Sequence, residues 1–251
     1  MANERLRSAL HSAGLTIDHV SDRAGVDPKT VERWISTDRV PHRAHREAIV
    51  AMLGKPEGFL WPSTESEART QSASAAEFVA LHPSRGGIPA GTWTTLLDQA
   101  SESIDLLAYS ASFLHDSVDN FGERLLEKAE SGVQVRLLFG DPNSEAVKRR
   151  GGEEGIAHLL AARCELTWAY YAPLLQSRGV KARKHDDTVY ASIFRFDEVL
   201  LANIHSLGTP ASHGPVVQLH RVAGGRLFTT YMDSFERTWE RATDVPTEQV
   251  A

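Results

Sequence analysis

Along the first sixty residues the apolar positions recur at helical spacing. Val20, Ala24, Val26, Val31, Trp34 and Ile35 fall on one side and predict two short helices with a common buried face. Thr16 is placed to cap the first, and Gly25 suits the tight turn that ends it. Asp27 is a good N-cap for the second, with Pro28 where the first helical turn tolerates it. The stretch STESEARTQSASAAE then carries almost no large apolar residue before Phe78, and reads as a linker or an exposed connecting helix. From Phe78 the periodicity alternates. Helices are predicted over 92–100, 119–129 and 156–175, and a last one from 228 to about 243. Strands are predicted over 104–109 and 133–139, near 180–184, over 188–196 and 199–204, and near 216–222, with the later ones forming hairpins around Arg195-Phe196-Asp197-Glu198. The expected organisation is an all-α domain over 1–62, a connection over 63–76, an α/β domain over 77–245 and a tail over 246–251.

Composition narrows the class. No run of about 18 apolar residues exists, so no membrane span is expected. The start MANERLRSALHS is a charged helix opening rather than a signal peptide. The single cysteine, Cys164, can form neither an internal disulfide nor a thiolate metal cluster, so the expectation is a cytoplasmic protein without metal or other cofactor. The net charge of −6 hides an asymmetry: residues 1–62 carry nine Lys/Arg against eight Asp/Glu, and the remainder eighteen against twenty-five. Between Lys29 and Arg46 stand five cations, two anions and two histidines, a local excess that points to a polyanion.

Two short helices joined by a Gly-containing turn form a helix-turn-helix. Lys29, Thr30, Glu32 and Arg33 then face outward at the start of the second helix, where such a helix meets base edges. Arg39, His42, Arg43 and Arg46 follow in a loop and helix start suited to phosphates. The skeleton Leu15-Thr16, Ala24-Gly25-Val26, Thr30-Val31-Glu32-Arg33-Trp34, Pro41 and Ala51-Met52-Leu53-Gly54 resembles the Cro/repressor-type (XRE-like) helix-turn-helix regulators over about 50 residues. That resemblance implies double-stranded operator DNA as partner. One departure is Ile17, where the family often has a phosphate-contacting Gln. The competing reading is a small helical bundle with a solvated basic face.

In the second part, Gly132-Val133-Gln134-Val135-Arg136-Leu137-Leu138 after a helix, and Phe235-Glu236-Arg237-Thr238-Trp239 in the closing helix, resemble a phospholipase D-type half-domain over roughly 77–243. The resemblance implies a mixed sheet flanked by helices, and half-domains that pair around the site. It also implies a His-x-Lys-x4-Asp strand. Here the matching stretch is Tyr190-Ala191-Ser192-Ile193-Phe194-Arg195-Phe196-Asp197, with Tyr for the nucleophilic histidine and Ser for the lysine. A phenol with a pKa near 10 is a poor nucleophile at neutral pH, and no charge clamp remains at that position. The domain is therefore expected not to be an enzyme but to bind a small effector, to dimerise, or both.

The candidate ligand residues are Tyr109, Arg183, His185, Tyr190, Ser192, Asp197, Asn203 and His205, which the alignment gathers around the old cleft. Against this stands the plainer view that Tyr190 and Ser192 simply pack and that His205 is a turn residue. Lys181, Arg183, Lys184 and His185 suggest a solvated strand end or a phosphate contact. Gly151-Gly152-Glu153-Glu154-Gly155 lacks the Lys-Ser/Thr of a P-loop and reads as a flexible loop over the cleft. Trp168, Tyr170 and Tyr171 read as helix core or dimer surface. The whole suggests a homodimeric transcriptional regulator; the alternatives are a DNA-targeted phosphodiesterase or nuclease with a rebuilt site, and a plain dimerisation partner.

Overall fold

The computed structural model describes residues 2–37 and 39–245, so the predicted tail over 246–251 lies outside the described residues. The chain divides into two compact units, Met1–Ser72 and Ala73–Ala251.

The first unit is helical: α1 Glu4–Ser12, α2 Ile17–Ala24, α3 Pro28–Ser36, α4 Arg43–Leu53 and α5 Glu57–Leu60, followed by α6 Pro62–Glu77. The predicted caps are present. The Thr16 hydroxyl accepts from His19 N–H, Gly25 takes the left-handed conformation (φ 67°), and the Asp27 carboxylate accepts from Lys29 N–H. Leu6, Leu10, Val20, Val31, Trp34, Ile35, Ile49, Leu60 and Trp61 make the core. Pro62–Glu77 is helical, and the division between units, at Ser72/Ala73, falls inside it and inside the predicted connection over 63–76.

The second unit is one eight-stranded mixed sheet. Its elements are β1 Phe78–His82, α7 Ala90–Gln99, β2 Ser103–Ala108, α8 Phe113–Ser117, α9 Phe121–Glu130, β3 Gln134–Gly140, α10 Glu145–Glu153, α11 Leu159–Tyr171, β4 Val180–His185, β5 Ala191–Phe196, β6 Val199–Ile204, β7 Val216–His220, α12 Leu227–Arg241 and β8 Thr243–Asp244. The strand order is β1-β7-β6-β5-β2-β3-β4-β8, with β2, β3 and β4 parallel and the other pairings antiparallel. Parallel strands need helical crossovers, which α9 supplies between β2 and β3, and α10 and α11 between β3 and β4.

Alternation along the strands feeds two cores. Ile104, Leu106, Val135, Leu137, Phe139 and Phe194 pack with Trp93, Leu97, Phe121 and Leu125 from α7 and α9. Leu107, Leu138, Ile193 and Leu200 meet Val147, Cys164, Phe228 and Phe235 from α10, α11 and α12 on the other face. Asp105 is buried at 1% exposure and held by Arg136 (2.6 Å) and Arg195 (2.9 Å).

Two expectations are corrected here. Gly151 and Gly152 lie within α10, not in a flexible loop. A Cβ on Gly151 would stand 2.1 Å from the Ala157 carbonyl oxygen, so glycine is there to let the backbone pack closely. The second correction is that β1, which the periodicity did not set apart, pairs antiparallel with β7 at the sheet edge.

Candidate functional site

In the first unit, α3 buries Val31, Trp34 and Ile35 and turns Lys29, Glu32 and Arg33 to solvent, with Thr30 half-buried. The helical period does this: residues 31, 34 and 35 share one face, and 29, 32 and 33 the other. Arg39 and His42 are exposed on the following loop, and Arg43 is exposed at the start of α4, where its Nε donates to Glu47 at 2.9 Å. Arg46 behaves differently. Its guanidinium donates to the Glu57 carboxylate (2.8 Å) and to the Pro41 carbonyl (2.6 Å), so it braces the loop and α5 instead of projecting outward. This corrects its assignment as an outward phosphate contact; a basic residue beside an acidic one eleven positions later is paired in the fold. A cleft of about 270 Å³ runs between Thr30, Arg33, Arg39 and His42, floored by Trp34 and Pro41.

In the second unit, a cavity of about 290 Å³ opens near the C-terminal end of β2, between α8, α11 and the loop after β6. Tyr109, Ser192 and His205 line it, as the alignment expected. The His205 Nδ1 faces the Val189 carbonyl at 3.0 Å, and its Nε2 faces the Ser192 hydroxyl at 3.0 Å. A carbonyl can only accept, so Nδ1 carries the proton and the Ser192 hydroxyl donates to Nε2. Burial, with Arg150 and Arg85 nearby, lowers the imidazole pKa to about 4, so His205 is neutral at pH 7. The ring stacks on Tyr109 at 5.9 Å, and the Tyr109 hydroxyl accepts from Val189 N–H.

The other candidates scatter. Asn203 is fully buried; its Nδ2 donates to the Gly214 and Pro215 carbonyls and its Oδ1 faces Arg85. It supports the cavity wall without lining it. His185 lies behind Tyr109, its Nε2 3.1 Å from the Ala108 carbonyl, and burial lowers its pKa.

Tyr190, Asp197 and Arg183 do not belong to the cavity. Tyr190 precedes β5 and is 80% exposed. Asp197 lies past the other end of β5, in the β5–β6 turn at φ 50°. There its carboxylate accepts from Ser101, Glu102 and Ser103 N–H (2.7–2.9 Å) and pins the start of β2. A six-residue strand carries its ends roughly 20 Å apart, so the two cannot share one site. Arg183 binds Asp244 and the Trp239 carbonyl and lies against the Trp239 ring. The cluster around Lys181 is thus tied to α12 and β8 at that residue, not to the cavity.

Sequence reasoning missed Arg85, Ser110, Ser112, Asp116, Glu154, Arg163 and Ser212, which supply the other polar groups of the lining. They come from four separate connections and two helices, and no local motif marks them. Glu154 is tied to the buried Arg150, whose guanidinium also donates to the Ser206 and Thr209 carbonyls and so holds the loop after β6. Among the described residues no group of three or more His, Cys, Asp or Glu side chains is placed to hold a metal ion. Nor is any helix long and apolar enough to cross a membrane.

The second unit is therefore an α/β domain with a mixed sheet and a polar cavity at a strand end. Residues 75–218 match the family described as "Domain of unknown function (DUF5919)", over half of the chain, and the chain belongs to that family. No curated protein matches. Solved structures similar to this chain include TrmBL2, an archaeal chromatin protein described as showing a novel mode of DNA binding (14% identity, TM-score 0.42, covering 82% of this chain and 72% of that one). They also include NUC, a phospholipase D family member from Salmonella typhimurium (16% identity, TM-score 0.41, covering 66% of this chain and 95% of that one).

Proposed function

We propose that this chain is a sequence-specific DNA-binding regulator of the Cro/repressor type, reading operator DNA with α3. The observation that carries the reading is the polarity of that helix. Its inner face is locked by Trp34, Val31 and Ile35, while Lys29, Glu32 and Arg33 stand free beside exposed Arg39, His42 and Arg43. A rigid helix with an outward polar start, flanked by cations, supplies both base readout and backbone grip. One short recognition helix reads few base pairs, so the chain acts as a homodimer on paired half-sites.

The second unit serves as the effector domain and does not cleave phosphodiesters. Tyr190, in the place of the phospholipase D-type nucleophile, points to solvent outside the cavity. The imidazole that does line the cavity is engaged by Ser192 and Val189, and a pKa of about 4 makes it a weak base.

The test is selection from a random duplex library followed by gel-shift titration of the winning site. Binding should fall steeply with salt and leave the DNA intact. Arg33→Ala should lose about 1–3 kcal/mol and relax preference at one base position, whereas Arg43→Ala should weaken all sequences alike and reduce the salt slope by about 0.9. Failure to enrich any sequence, or cleavage of the duplex, would overturn the reading.

A further inference from the structure

We infer that the cavity of the second unit takes a small carboxylate ligand, gripped by Arg85 with Arg163 beside it; the inference rests on the effector reading above. Arg85 follows β1, and its backbone N–H is fixed to the Gly214 carbonyl at 3.0 Å, so the side chain starts from a rigid point. Its guanidinium lies 3.9 Å from the centre of the Phe113 ring, which covers its flat face. Among the described residues its one side-chain hydrogen bond is a 3.5 Å contact from Nη1 to Asn203 Oδ1, at the limit of bonding distance. Most of its five in-plane donors are left for whatever occupies the cavity.

Among the described residues no carboxylate forms an ion pair with Arg85 or with Arg163. Burial, helped by repulsion from Arg163, lowers the Arg85 pKa to about 10 despite the nearby Glu154. A desolvated cation without a counter-ion is costly, and a bound anion removes that cost. The planar fork matches a carboxylate bidentately, and the Ser112 and Ser212 hydroxyls are at hand for the ligand's remaining polar atoms.

The charge balance favours one negative charge over two. Arg85 and Arg163 are offset on the lining by Asp116 and Glu154, and the buried Arg150 behind Glu154 is paired with Glu153 as well, so the site carries no positive excess to hold a second negative charge. That suits a monoanionic acid better than a phosphate dianion. A volume of about 290 Å³ is at the small end of ligand cavities and fits a metabolite, not a polymer segment.

The experiment is a thermal-shift and calorimetric titration of the full chain at constant ionic strength. The probes are lactate and benzoate, their neutral amides lactamide and benzamide, and inorganic phosphate. At least one carboxylate should raise the unfolding midpoint saturably while its amide does not. Arg163→Gln, at an exposed position, should weaken that binding at least tenfold, and Arg85→Gln should abolish it. If Arg85→Gln does not fold, Arg163→Gln alone decides.

Equal binding of acid and amide, a response to phosphate alone, no saturable response to either acid, or unchanged affinity in Arg163→Gln would each overturn the inference. The effector reading would survive if a neutral or cationic compound from a diverse fragment set still bound the cavity by ligand-observed NMR. A blank across that set would remove both.

Discussion

The outward polar face of α3 and the cavity beside His205 are built on opposite plans. The first is a row of neighbours in sequence, exposed, set by one helical period and backed by a single hydrophobic core. The second gathers Arg85, Tyr109, Arg163, Ser192 and His205 from five places in the chain, from buried Tyr109 and Ser192 to exposed Arg163, with titration shifted on several of them. Solvent explains the contrast. Exposed cations stay hydrated and act through number and placement, whereas groups taken out of water act on one another and need partners. A surface of the first kind suits the proposed polyanion, and a recess of the second kind suits the proposed small molecule.

The largest effect that would sharpen this contrast comes from Trp34→Ala. Truncating a side chain that is 3% exposed should cost about 3–5 kcal/mol. Calorimetry should then show the first unit's transition lost or greatly lowered and DNA binding gone, with the second unit's transition retained. A matching loss in the second unit would mean that the two are not independent.

The cavity makes its own prediction through pH. The folded pKa of His205, about 4, lies below its unfolded value of 6.5, so the unfolded chain binds a proton first as pH falls. Its contribution to stability is therefore complete above pH 6.5, falls as pH drops below that value, and is lost by pH 4, amounting to about 3 kcal/mol. Urea unfolding from pH 4 to 7 should show this rise, and His205→Gln should flatten it. An unchanged profile in that variant would assign the slope to other groups.

Asp197→Ala should destabilise the second unit by about 2 kcal/mol, because three backbone N–H groups at the start of β2 lose their acceptor. Ligand affinity should not change. A loss of binding at unchanged stability would return this carboxylate to the site. The smallest effect belongs to Tyr190→Ala, which at 80% exposure should alter stability by less than about 0.5 kcal/mol and leave cavity binding untouched.

How much was legible depended on whether a feature is local. The caps at Thr16 and Asp27, the left-handed Gly25 and the apolar faces of α2 and α3 follow from neighbouring residues, and they stand where the pattern placed them. The strands over 133–139 and 199–204 were read to within a residue because alternation and apolar runs are also local. Tyr109, Ser192 and His205 were found through their strand positions. Arg46 was misread because its partner, Glu57, comes from another element.

The sequence by itself determined a helical unit with a cationic outward face, an α/β unit with a mixed sheet, and the absence of the histidine and lysine that a phospholipase D-type strand would carry. Only the tertiary structure decided that Asp197 is a turn anchor, that Tyr190 faces water, and that Arg85 enters the cavity. It also decided that Glu77, at the end of α6, caps α12 by accepting from Leu227 N–H across 150 residues. Periodicity and caps are settled by residues within a turn or two of each other. Which charge meets which partner is settled by the cheapest way to leave water, and that depends on what the whole fold brings alongside.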